Sequence, residues 1–312
     1  MPDARTDAEL VRRGLARSRR HAAELVAAGR VSVAGRTVAK PSTPVEPTAA
    51  LVVTADPADP GYASRAGGKL AGALDALAAD ARGRALTDAL AGSRCLDLGA
   101  STGGFTDVLL RRGASHVVAL DVGHGQLVPR LRDDPRVTVV EGFNVRDLTT
   151  DDLVARPEVV VGDLSFISLA LALGPLSTVL APTAHALLLV KPQFEVGRER
   201  LGAGGVVRDP ELHVEAVVSV VRAAAERGLR ALAVVPSPVP GPSGNREYFC
   251  WFRPAREPEH GVGPVGETAA ERAVRAAVAW SPSAPRDPSE DLSPASPVRA
   301  ALPPVVPIGG AP

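Results

Sequence analysis

Residues 94–105 read Arg94-Cys-Leu-Asp-Leu-Gly-Ala-Ser-Thr-Gly-Gly-Phe105, and this stretch decides the fold. Its first half is a short apolar run typical of a buried strand, and its second half is a glycine-rich turn that precedes a helix. Glycines let a backbone approach a ligand closely, so the unit predicts a nucleotide-binding loop. Asp121 stands 22 residues after Gly99, at the end of the next predicted strand, where a carboxylate can bind a ribose hydroxyl pair.

Strands and helices alternate downstream of this loop. The predicted strands are near-continuous apolar runs at residues 94–98, 116–120, 137–140, 159–162 and 184–190. Such runs, alternating with helices, indicate an α/β fold with a parallel, doubly wound sheet. A long helix over residues 211–227 then precedes two last strands, 230–235 and 247–252, which could pair antiparallel.

Two details of the loop distinguish between the cofactors that such a sheet can bind. A carboxylate at Asp97, two residues before the first glycine, would repel a pyrophosphate but suits a cationic amino-acid ligand. The glycine spacing is G-x-x-x-G-G, not the G-x-G-x-x-G of dinucleotide enzymes. The loop resembles the S-adenosylmethionine loop of the class I methyltransferases, with a nicotinamide enzyme and a ligand-free turn as alternatives. The predicted cofactor residues are Asp97, Gly99, Ser101, Gly103, Gly104, Phe105, Asp121 and Asn144.

Lysine is almost absent from the chain. Of the 35 basic residues 32 are arginine, and the lysines are Lys40, Lys69 and Lys191. The 35 acidic residues bring the formal net charge to zero, which excludes a protein that binds nucleic acid through its overall charge. A lysine that persists in so arginine-rich a sequence indicates a place where a guanidinium would not serve, such as one where the amine must lose a proton.

Two candidate catalytic side chains directly follow predicted strands. Asp163 begins the motif DLSFIS (163–168), and Lys191 begins the motif KPQFE (191–195). Ligands of an open α/β sheet bind beyond the carboxyl ends of its strands, so both side chains are expected at the site. The apolar strand before Lys191 partly desolvates its amine, which favours the neutral form that accepts protons. A rim ion pair with Asp163, without a catalytic role, is the alternative.

Lys69 and Glu247 complete the predicted catalytic set. Lys69 lies in the segment SRAGGKL (64–70), and Glu247 enters the last strand after GPSGNR (241–246). Either residue by itself would be interpreted as a surface charge. In chain order the set gives Lys–Asp–Lys–Glu, which resembles the tetrad of the FtsJ-like ribose 2′-O-methyltransferases. That resemblance implies catalytic roles for Lys69, Asp163, Lys191 and Glu247.

The N-terminal segment is locally basic. Residues 10–40 hold eight basic residues against one acidic residue, Glu24. Thr6 and Ser18 are predicted to cap two short helices, which short strands follow. A basic module of this kind indicates contact with RNA or DNA, with a solvated charged helix face as the alternative. The predicted RNA-binding residues are Arg5, Arg17, Arg19 and Lys40.

Together the motifs resemble those of the TlyA family, in which a small S4-like RNA-binding module precedes an FtsJ-like domain. The family pattern also includes GGVV (204–207) and GPSGN (241–245), whereas its linker motif Arg-x-Trp-Val is replaced here by PGYA (60–63). The resemblance implies a class I S-adenosylmethionine-dependent methyltransferase with an S4-like α+β domain. It also implies methyl transfer to a ribose 2′-hydroxyl of cytidine in 16S or 23S rRNA, on 30S or 50S ribosomal subunits in the cytoplasm.

Composition and motifs divide the chain into four parts. We expect an S4-like domain, a methyltransferase domain, a C-terminal helix and a disordered proline-rich tail, at residues 1–60, 61–254, 255–280 and 281–312. The last 58 residues contain 11 of the 29 prolines, which is why the tail is expected to lack structure. Cys95 and Cys250 lie in apolar runs and are predicted to be buried thiols.

No segment predicts a signal peptide, and we expect neither a membrane nor a metal ion as a partner. The best candidate for a membrane span, residues 164–190, is interrupted by Pro175 and Pro182. Because TlyA relatives are often named hemolysins, a pore-associated protein is one alternative function, and the lack of an apolar span disfavours it. A non-catalytic RNA-binding assembly factor is another, and the complete Lys–Asp–Lys–Glu set disfavours it.

Overall fold

The computed structural model describes residues 4–16, 18–54, 60–255, 268–281 and 302–309. The chain divides into two compact units, residues 1–64 and residues 65–312. Each unit has a hydrophobic core of its own. Arg17 and part of the linker, residues 55–59, lie outside the described residues.

Two short helices and five short strands form the N-terminal unit. The helices are α1 (Thr6–Arg12) and α2 (Arg19–Ala27), and both are predicted. The strands are β1 (Ala4–Arg5), β2 (Val31–Val33), β3 (Arg36–Thr37), β4 (Pro44–Val45) and β5 (Leu51–Val53). An antiparallel sheet has the order β3-β2-β5, and β1 pairs with β4. The β1–β4 pair is not predicted, because two residues are too few to show an alternating pattern.

The two helices of this unit begin in different ways. Ser18 caps α2 as predicted, since its hydroxyl accepts a hydrogen bond from His21 N at 3.1 Å. The cap predicted at Thr6 is wrong, because Thr6 is the first residue of α1 and its hydroxyl donates to the Thr43 carbonyl oxygen at 2.8 Å. A partner 37 residues away therefore takes the hydroxyl that the local pattern assigns to a cap.

An eight-stranded sheet forms the centre of the C-terminal unit. Its strands are β6 (Arg94–Leu98), β7 (His116–Leu120), β8 (Val137–Val140), β9 (Val159–Gly162), β10 (His185–Val190), β11 (Leu229–Pro236), β12 (Tyr248–Pro254) and β13 (Val306–Pro307). They lie in the order β13-β11-β12-β10-β9-β6-β7-β8. Strands β6 to β10 are parallel, whereas β12, β11 and β13 add antiparallel pairs. The carboxyl ends of five parallel strands therefore meet along one edge of the sheet, where ligands bind.

Helices pack on both faces of this sheet, which confirms the predicted α/β class. The helices are α3 (Arg65–Ala79), α4 (Arg84–Asp88), α5 (Gly104–Arg111), α6 (Pro129–Arg132), α7 (Ala170–Val179), α8 (Pro192–Glu195), α9 (Pro210–Ala225) and α10 (Ala269–Ala279). On one face α7, α9 and α10 share a core with Leu96 and Cys250. On the other face α5 packs against the sheet, with the rings of Phe105 and Phe249 5.9 Å apart.

Residues 302–309 correct one part of the prediction that residues 281–312 are disordered. β13 pairs with β11, and Ile308 N donates to the Leu232 carbonyl oxygen at 2.9 Å. Val306 and Ile308 also pack against the main core. Proline content misleads here, because β13 is an edge strand and an edge tolerates the missing N–H of Pro307. Residues 282–301 and 310–312 lie outside the described residues.

Both cysteines are buried free thiols, as predicted. Burial raises the pKa of Cys95 to about 12 and raises that of Cys250 as well. Within the stretches that the structure describes, no helix is long and apolar enough to cross a membrane. The same stretches hold no group of three His, Cys, Asp or Glu side chains arranged to bind a metal ion.

Candidate active site

The glycine-rich turn after β6 requires glycine at two positions. Gly99 and Gly103 have φ angles of 79° and 96°, in the left-handed region that favours glycine. A Cβ at Gly103 would clash with the side chains of Leu131 and Leu127. A Cβ at Gly99 would lie 3.0 Å from the carbonyl oxygen of Asp163, so the loop backbone passes close to the end of β9.

The carboxylate of Asp121 holds this loop at the end of β7. Ser101 N donates to Oδ2 and Gly123 N donates to Oδ1, each over 2.7 Å. Ser101 Oγ in turn donates to Gln126 Oε1 at 3.0 Å. Each carboxylate oxygen of Asp121 has a second lone pair, so the residue can still accept hydrogen bonds from a ribose.

A cavity of about 340 Å³ adjoins the loop, the end of β7 and the segment after β9. Its lining unites four predicted cofactor residues with one predicted catalytic residue, namely Gly99, Ser101, Asp121, Asn144 and Asp163. The other lining residues are Leu120, Val122, Gln126, Phe143, Val145, Leu164, Ser165, Phe166 and Ile167. The site thus lies at the carboxyl edge of the sheet, where the strand order predicts it.

Three predicted cofactor residues form the start of α5 instead of lining the cavity. Gly103 is the N-cap and Gly104 the first residue of this helix. Phe105 is buried and packs against Phe249 in the core. These residues support the turn on the side away from the cavity. Any contact that they make with a ligand is therefore made through the backbone of the loop.

Asp97, in β6, is fully buried and does not line the cavity. Its Oδ2 accepts a hydrogen bond from Thr106 Oγ1 at 2.7 Å, and no described residue donates to its Oδ1. Burial raises the pKa of Asp97 to about 7, and the negative charges of Asp163 and Asp121 add to the rise. A buried oxygen without a donor is unfavourable, so Oδ1 is suited to accept one from a ligand.

Lys69 and Glu247 form a buried ion pair. Lys69 Nζ in α3 lies 2.6 Å from Glu247 Oε2, and the two side chains are 7% and 0% exposed. Gln193 Nε2, two residues after Lys191, donates to the other carboxylate oxygen of Glu247 at 3.3 Å. The fold therefore joins two residues that are 178 positions apart in the chain.

Lys191 and Asp163 form the second pair. Lys191 Nζ lies 2.7 Å from Asp163 Oδ1, with 8% and 13% of the side chains exposed. The angle at this contact is not that of a hydrogen bond, because Asp163 Oδ1 accepts none from the described residues. Lys191 Nζ instead donates to Ser165 Oγ at 2.6 Å, and the ring centroid of Phe194 lies 5.7 Å from Nζ.

The sheet register places the two pairs side by side. Val190 at the end of β10 is opposite Tyr248 at the start of β12. Because these strands are antiparallel, the next residue along β10 and the one before β12 are neighbours, and these are Lys191 and Glu247. The four predicted catalytic residues thus form two adjacent lysine–carboxylate pairs at one edge of the sheet.

Two residues of the site, Ser165 and Phe166, are not predicted from the sequence. Both belong to the motif DLSFIS (163–168), of which only Asp163 is predicted to act. The Phe166 side chain is 88% exposed, has a φ of 67°, and lies with its ring centroid 5.4 Å from that of Phe194. The sequence does not show that Phe166 is exposed beside the cavity. An aromatic residue that closely follows an apolar strand is more readily interpreted as part of the core.

Two of the three predicted RNA-binding arginines, Arg5 and Arg19, share one carboxylate, and the third, Arg17, lies outside the described residues. Arg5 and Arg19 both lie on Asp7, at 2.9 Å and 3.3 Å. Hydrogen bonds from Arg5 lower the pKa of Asp7 to about 2, with a smaller contribution from Arg19. Both guanidinium groups are more than half exposed, so they stay within reach of a phosphate but carry a compensated charge.

The other basic residues of this unit differ in whether a carboxylate compensates their charge. Glu9 accepts hydrogen bonds from Arg12 and Arg13, which lower the pKa of Glu9 to about 2. Lys40 is exposed, as is Arg36, and neither forms an ion pair with a described residue. Arg36 is not among the predicted RNA-binding residues, because charge counting does not distinguish paired from unpaired arginines.

The groups around the loop fit S-adenosylmethionine. Asp97 Oδ1 is a buried acceptor for an ammonium group, and Asp121 is an acceptor for ribose hydroxyls. Gly99 lines the cavity without a side chain, so a ligand there can approach the loop backbone closely.

Two family models match the chain. The FtsJ-like methyltransferase model matches residues 62–254, and the S4 domain model matches residues 5–51. The two matches fall in the C-terminal unit and the N-terminal unit respectively, apart from three residues before position 65.

Similar proteins extend over most of the chain. The 16S/23S rRNA (cytidine-2′-O)-methyltransferase TlyA of Mycobacterium tuberculosis is 54% identical over 80% of this chain and 90% of its own length. Hemolysin A of Brachyspira hyodysenteriae is 35% identical over 77% of this chain and 95% of its own length. A solved structure from Streptococcus thermophilus, named as a hemolysin, has a TM-score of 0.65 at 34% identity and covers 88% of this chain and 95% of its own.

Proposed function

Because the chain belongs to the TlyA family of FtsJ-like methyltransferases, we propose that it transfers a methyl group from S-adenosylmethionine to a ribose 2′-hydroxyl of ribosomal RNA. The target base is cytidine, in 16S or 23S rRNA or both, by extension from the Mycobacterium tuberculosis methyltransferase that is 54% identical. The observation that carries the proposal is the two adjacent lysine–carboxylate pairs near a cavity that adjoins the glycine-rich loop.

Lys191 is the proposed proton acceptor. A ribose 2′-hydroxyl is a very weak acid and needs a base when its oxygen attacks a methyl group. The amine of Lys191 is nearly buried, next to cavity residues Asp163 and Ser165. When Nζ takes the proton, Asp163 Oδ1 at 2.7 Å stabilises the ammonium group that forms.

Lys69 and Glu247 support this base. Their charges compensate each other in a buried contact, and Glu247 also accepts a hydrogen bond from Gln193 in the Lys191 segment. The pair thereby fixes the backbone that carries Lys191. Removal of either partner would leave a buried charge without compensation, which is strongly unfavourable.

The cofactor is held by the loop residues. Asp97, whose Oδ1 lacks a donor among the described residues, would bind its ammonium group, Asp121 would bind its ribose hydroxyls, and Gly99 would let it approach the loop backbone. When bound, it supplies an electrophilic methyl group on a positively charged sulfur. The protein has to place O2′ in line with that methyl group, and such placement lowers barriers by up to about 7–11 kcal/mol.

The N-terminal unit supplies RNA affinity, and the nucleophile itself requires RNA. Exposed basic residues such as Lys40 suit contacts with phosphates, and an exposed aromatic residue such as Phe166 suits stacking with a nucleobase. DNA lacks the 2′-hydroxyl and is therefore not a substrate. Because ribosomal subunits are the proposed substrate, the reaction is expected to take place in the cytoplasm.

Methyl transfer to isolated ribosomal subunits tests the proposal. Purified protein, labelled S-adenosylmethionine and 30S or 50S subunits should give labelled rRNA, and mass mapping should find the label as 2′-O-methylcytidine. Label on a base, or on protein, would contradict the proposal. Tight RNA binding without any transfer would favour the non-catalytic assembly factor instead.

A further inference from the structure

Ser165 connects the cavity to the amine of Lys191. Ser165 lines the cavity together with Asp163, whereas Lys191 is not among the lining residues. The link between them is the hydrogen bond from Lys191 Nζ to Ser165 Oγ, 2.6 Å long. Ser165 therefore lies between the cavity and the amine of Lys191.

Asp163 Oδ1 and Ser165 Oγ both lie next to the Lys191 amine, but they differ in how strongly they can fix the directions of its N–H bonds. Asp163 Oδ1 lies 2.7 Å from Nζ, where its charge attracts an N–H, although it accepts no hydrogen bond of normal geometry from this amine. Ser165 Oγ accepts a directed hydrogen bond from Nζ. Among the described residues it is the one acceptor of a hydrogen bond from this amine. The rotation of the amine about its Cε–Nζ bond thus depends on Ser165.

We propose that Ser165 is a positioning residue that aims the lone pair of Lys191 at the ribose 2′-hydroxyl, an inference that rests on the proposed function. A neutral amine carries two N–H bonds and one lone pair. With one N–H directed at Ser165 Oγ and the other on the side of Asp163, the lone pair takes the third direction. Ser165 selects that direction.

The proton and the electrons balance in this scheme. The O2′–H bond breaks and its proton moves to Lys191 Nζ, while a bond forms between O2′ and the methyl carbon. The bond between that carbon and sulfur breaks, and its electron pair stays on sulfur. The positive charge passes from sulfur to Lys191, opposite Asp163, and Ser165 neither gains nor loses a proton.

The segment that carries Ser165 is held by the same short helix that follows Lys191. Glu195 at the end of α8 accepts hydrogen bonds from Ser168 Oγ at 2.6 Å and from Leu169 N at 2.8 Å. Between these anchors and Ser165, Phe166 has a φ of 67°, a conformation that tertiary contacts must stabilise. The distance from Ser165 to Lys191 is thus set by the fold.

Three single substitutions in the full-length protein test this role. Ser165→Ala removes the acceptor, and Ser165→Thr keeps a hydroxyl at the same place. Ser177→Ala is the matched control, because it removes a hydroxyl in α7 that bonds to the Gly174 carbonyl oxygen and not to Lys191. For each variant we would measure kcat and KM with ribosomal subunits, cofactor affinity by calorimetry, and the melting temperature.

Ser165→Ala should lower kcat by about 10- to 100-fold, within the range for general-base catalysis, with KM and cofactor affinity within about threefold of wild type. Ser165→Thr should recover most of kcat, and Ser177→Ala should change it by less than about threefold. Wild-type kcat in Ser165→Ala would overturn the inference, and so would equal losses in Ser165→Ala and Ser177→Ala. A wild-type protein that transfers no methyl group would overturn the proposed function itself, so the two failures are distinguishable.

Discussion

Basic side chains in the N-terminal unit and in the C-terminal unit occupy opposite surroundings. In the first, the side chains of Arg5 and Arg19 are 53% and 61% exposed around one carboxylate. In the second, Lys69 and Lys191 have side chains only 7% and 8% exposed, each against a carboxylate of its own. The third lysine, Lys40, lies in the first unit and is exposed.

The difference teaches what each kind of charge can do. Arg5 and Arg19 reach solvent although the Asp7 side chain is only 8% exposed, so their remaining N–H groups can contact a phosphate while Asp7 stays compensated. Buried pairs cannot be separated without leaving a charge uncompensated in a poorly solvated place. Charges of the first kind suit reversible RNA binding, whereas charges of the second kind suit the precise placement of a proton acceptor.

Loss of Lys191 should have the largest effect. Lys191→Ala removes the proposed base and none of the loop residues, so we expect kcat to fall by about 10²- to 10⁴-fold. Cofactor affinity by calorimetry and RNA affinity by filter binding should stay within a few fold. A variant in which RNA affinity falls and kcat persists would break the comparison, because Lys191 would then behave as a surface charge.

The pH dependence of cofactor binding should show the next largest effect. Burial raises the pKa of Asp97 to about 7, so below that pH the ligand-free protein holds a proton where the cofactor needs a carboxylate. Cofactor affinity should therefore rise by up to about tenfold per pH unit between pH 5 and 7 and level off above. Calorimetry across this range measures it, and Asp97→Asn should weaken binding and flatten the profile.

The same raised pKa of Asp97 should make the folded protein more stable at low pH than at neutral pH. The pKa of Asp97 is higher in the folded state than the ordinary value of 3.8, so the folded protein binds this proton more tightly than the unfolded chain does. The resulting contribution to the free energy of unfolding is fully present below about pH 4. That contribution is lost as the pH rises through 7. Thermal melts of the ligand-free protein should show this loss in wild type and not in Asp97→Asn; equal pH profiles would show that Asp97 titrates normally.

Salt dependence should sharpen the comparison within the N-terminal unit. Replacing Arg36 and Lys40 with Ala should flatten the log–log salt dependence of rRNA binding by roughly 0.7–0.9 per lost phosphate contact. Replacing Arg5 and Arg19 should flatten it less, because Asp7 already compensates part of their charge. Arg275→Ala, which removes a partner of Glu211 in the C-terminal unit, is the control and should leave the slope unchanged. Equal slopes for both pairs would mean that ion pairing does not matter here.

Removal of the C-terminal edge strand should have the smallest effect. Deletion of residues 302–312 removes the β13–β11 pairing and the packing of Val306 and Ile308. We expect a loss of about 1–3 kcal/mol in the free energy of unfolding, or roughly 2–8 °C in melting temperature. Ile308→Asp in the full-length chain should give part of this loss. An unchanged melting temperature would restore the prediction that the tail does not pack.

Much of the sheet is predictable from sequence, because each parallel strand is a continuous apolar run between turns. The bounds of β6 to β9 agree with prediction, and β10 differs by one residue. The edge strand β13 is not predictable, since two residues among prolines show no periodicity. Its pairing depends on the exposed edge of β11, which is a tertiary feature.

The site is less predictable than the fold. Position at strand ends identifies Asp163 and Lys191, but the partner of Lys69 is 178 residues away and comes only from a family pattern. Local sequence also does not show that Phe105 packs in the core while Ser165 contacts Lys191. Such facts depend on how separate segments meet, which no periodicity encodes.

The central claim is that the C-terminal unit uses a buried lysine as a proton acceptor, and Lys191→Arg tests it most directly. Arginine keeps the positive charge opposite Asp163 but cannot lose its proton at working pH. The decisive measurement is the single-turnover rate of methyl transfer with saturating ribosomal subunits and cofactor. We predict no measurable transfer by Lys191→Arg, with cofactor affinity within a few fold of wild type. Transfer at a rate near that of wild type would show that this position supplies charge and not proton acceptance, and would contradict the mechanism.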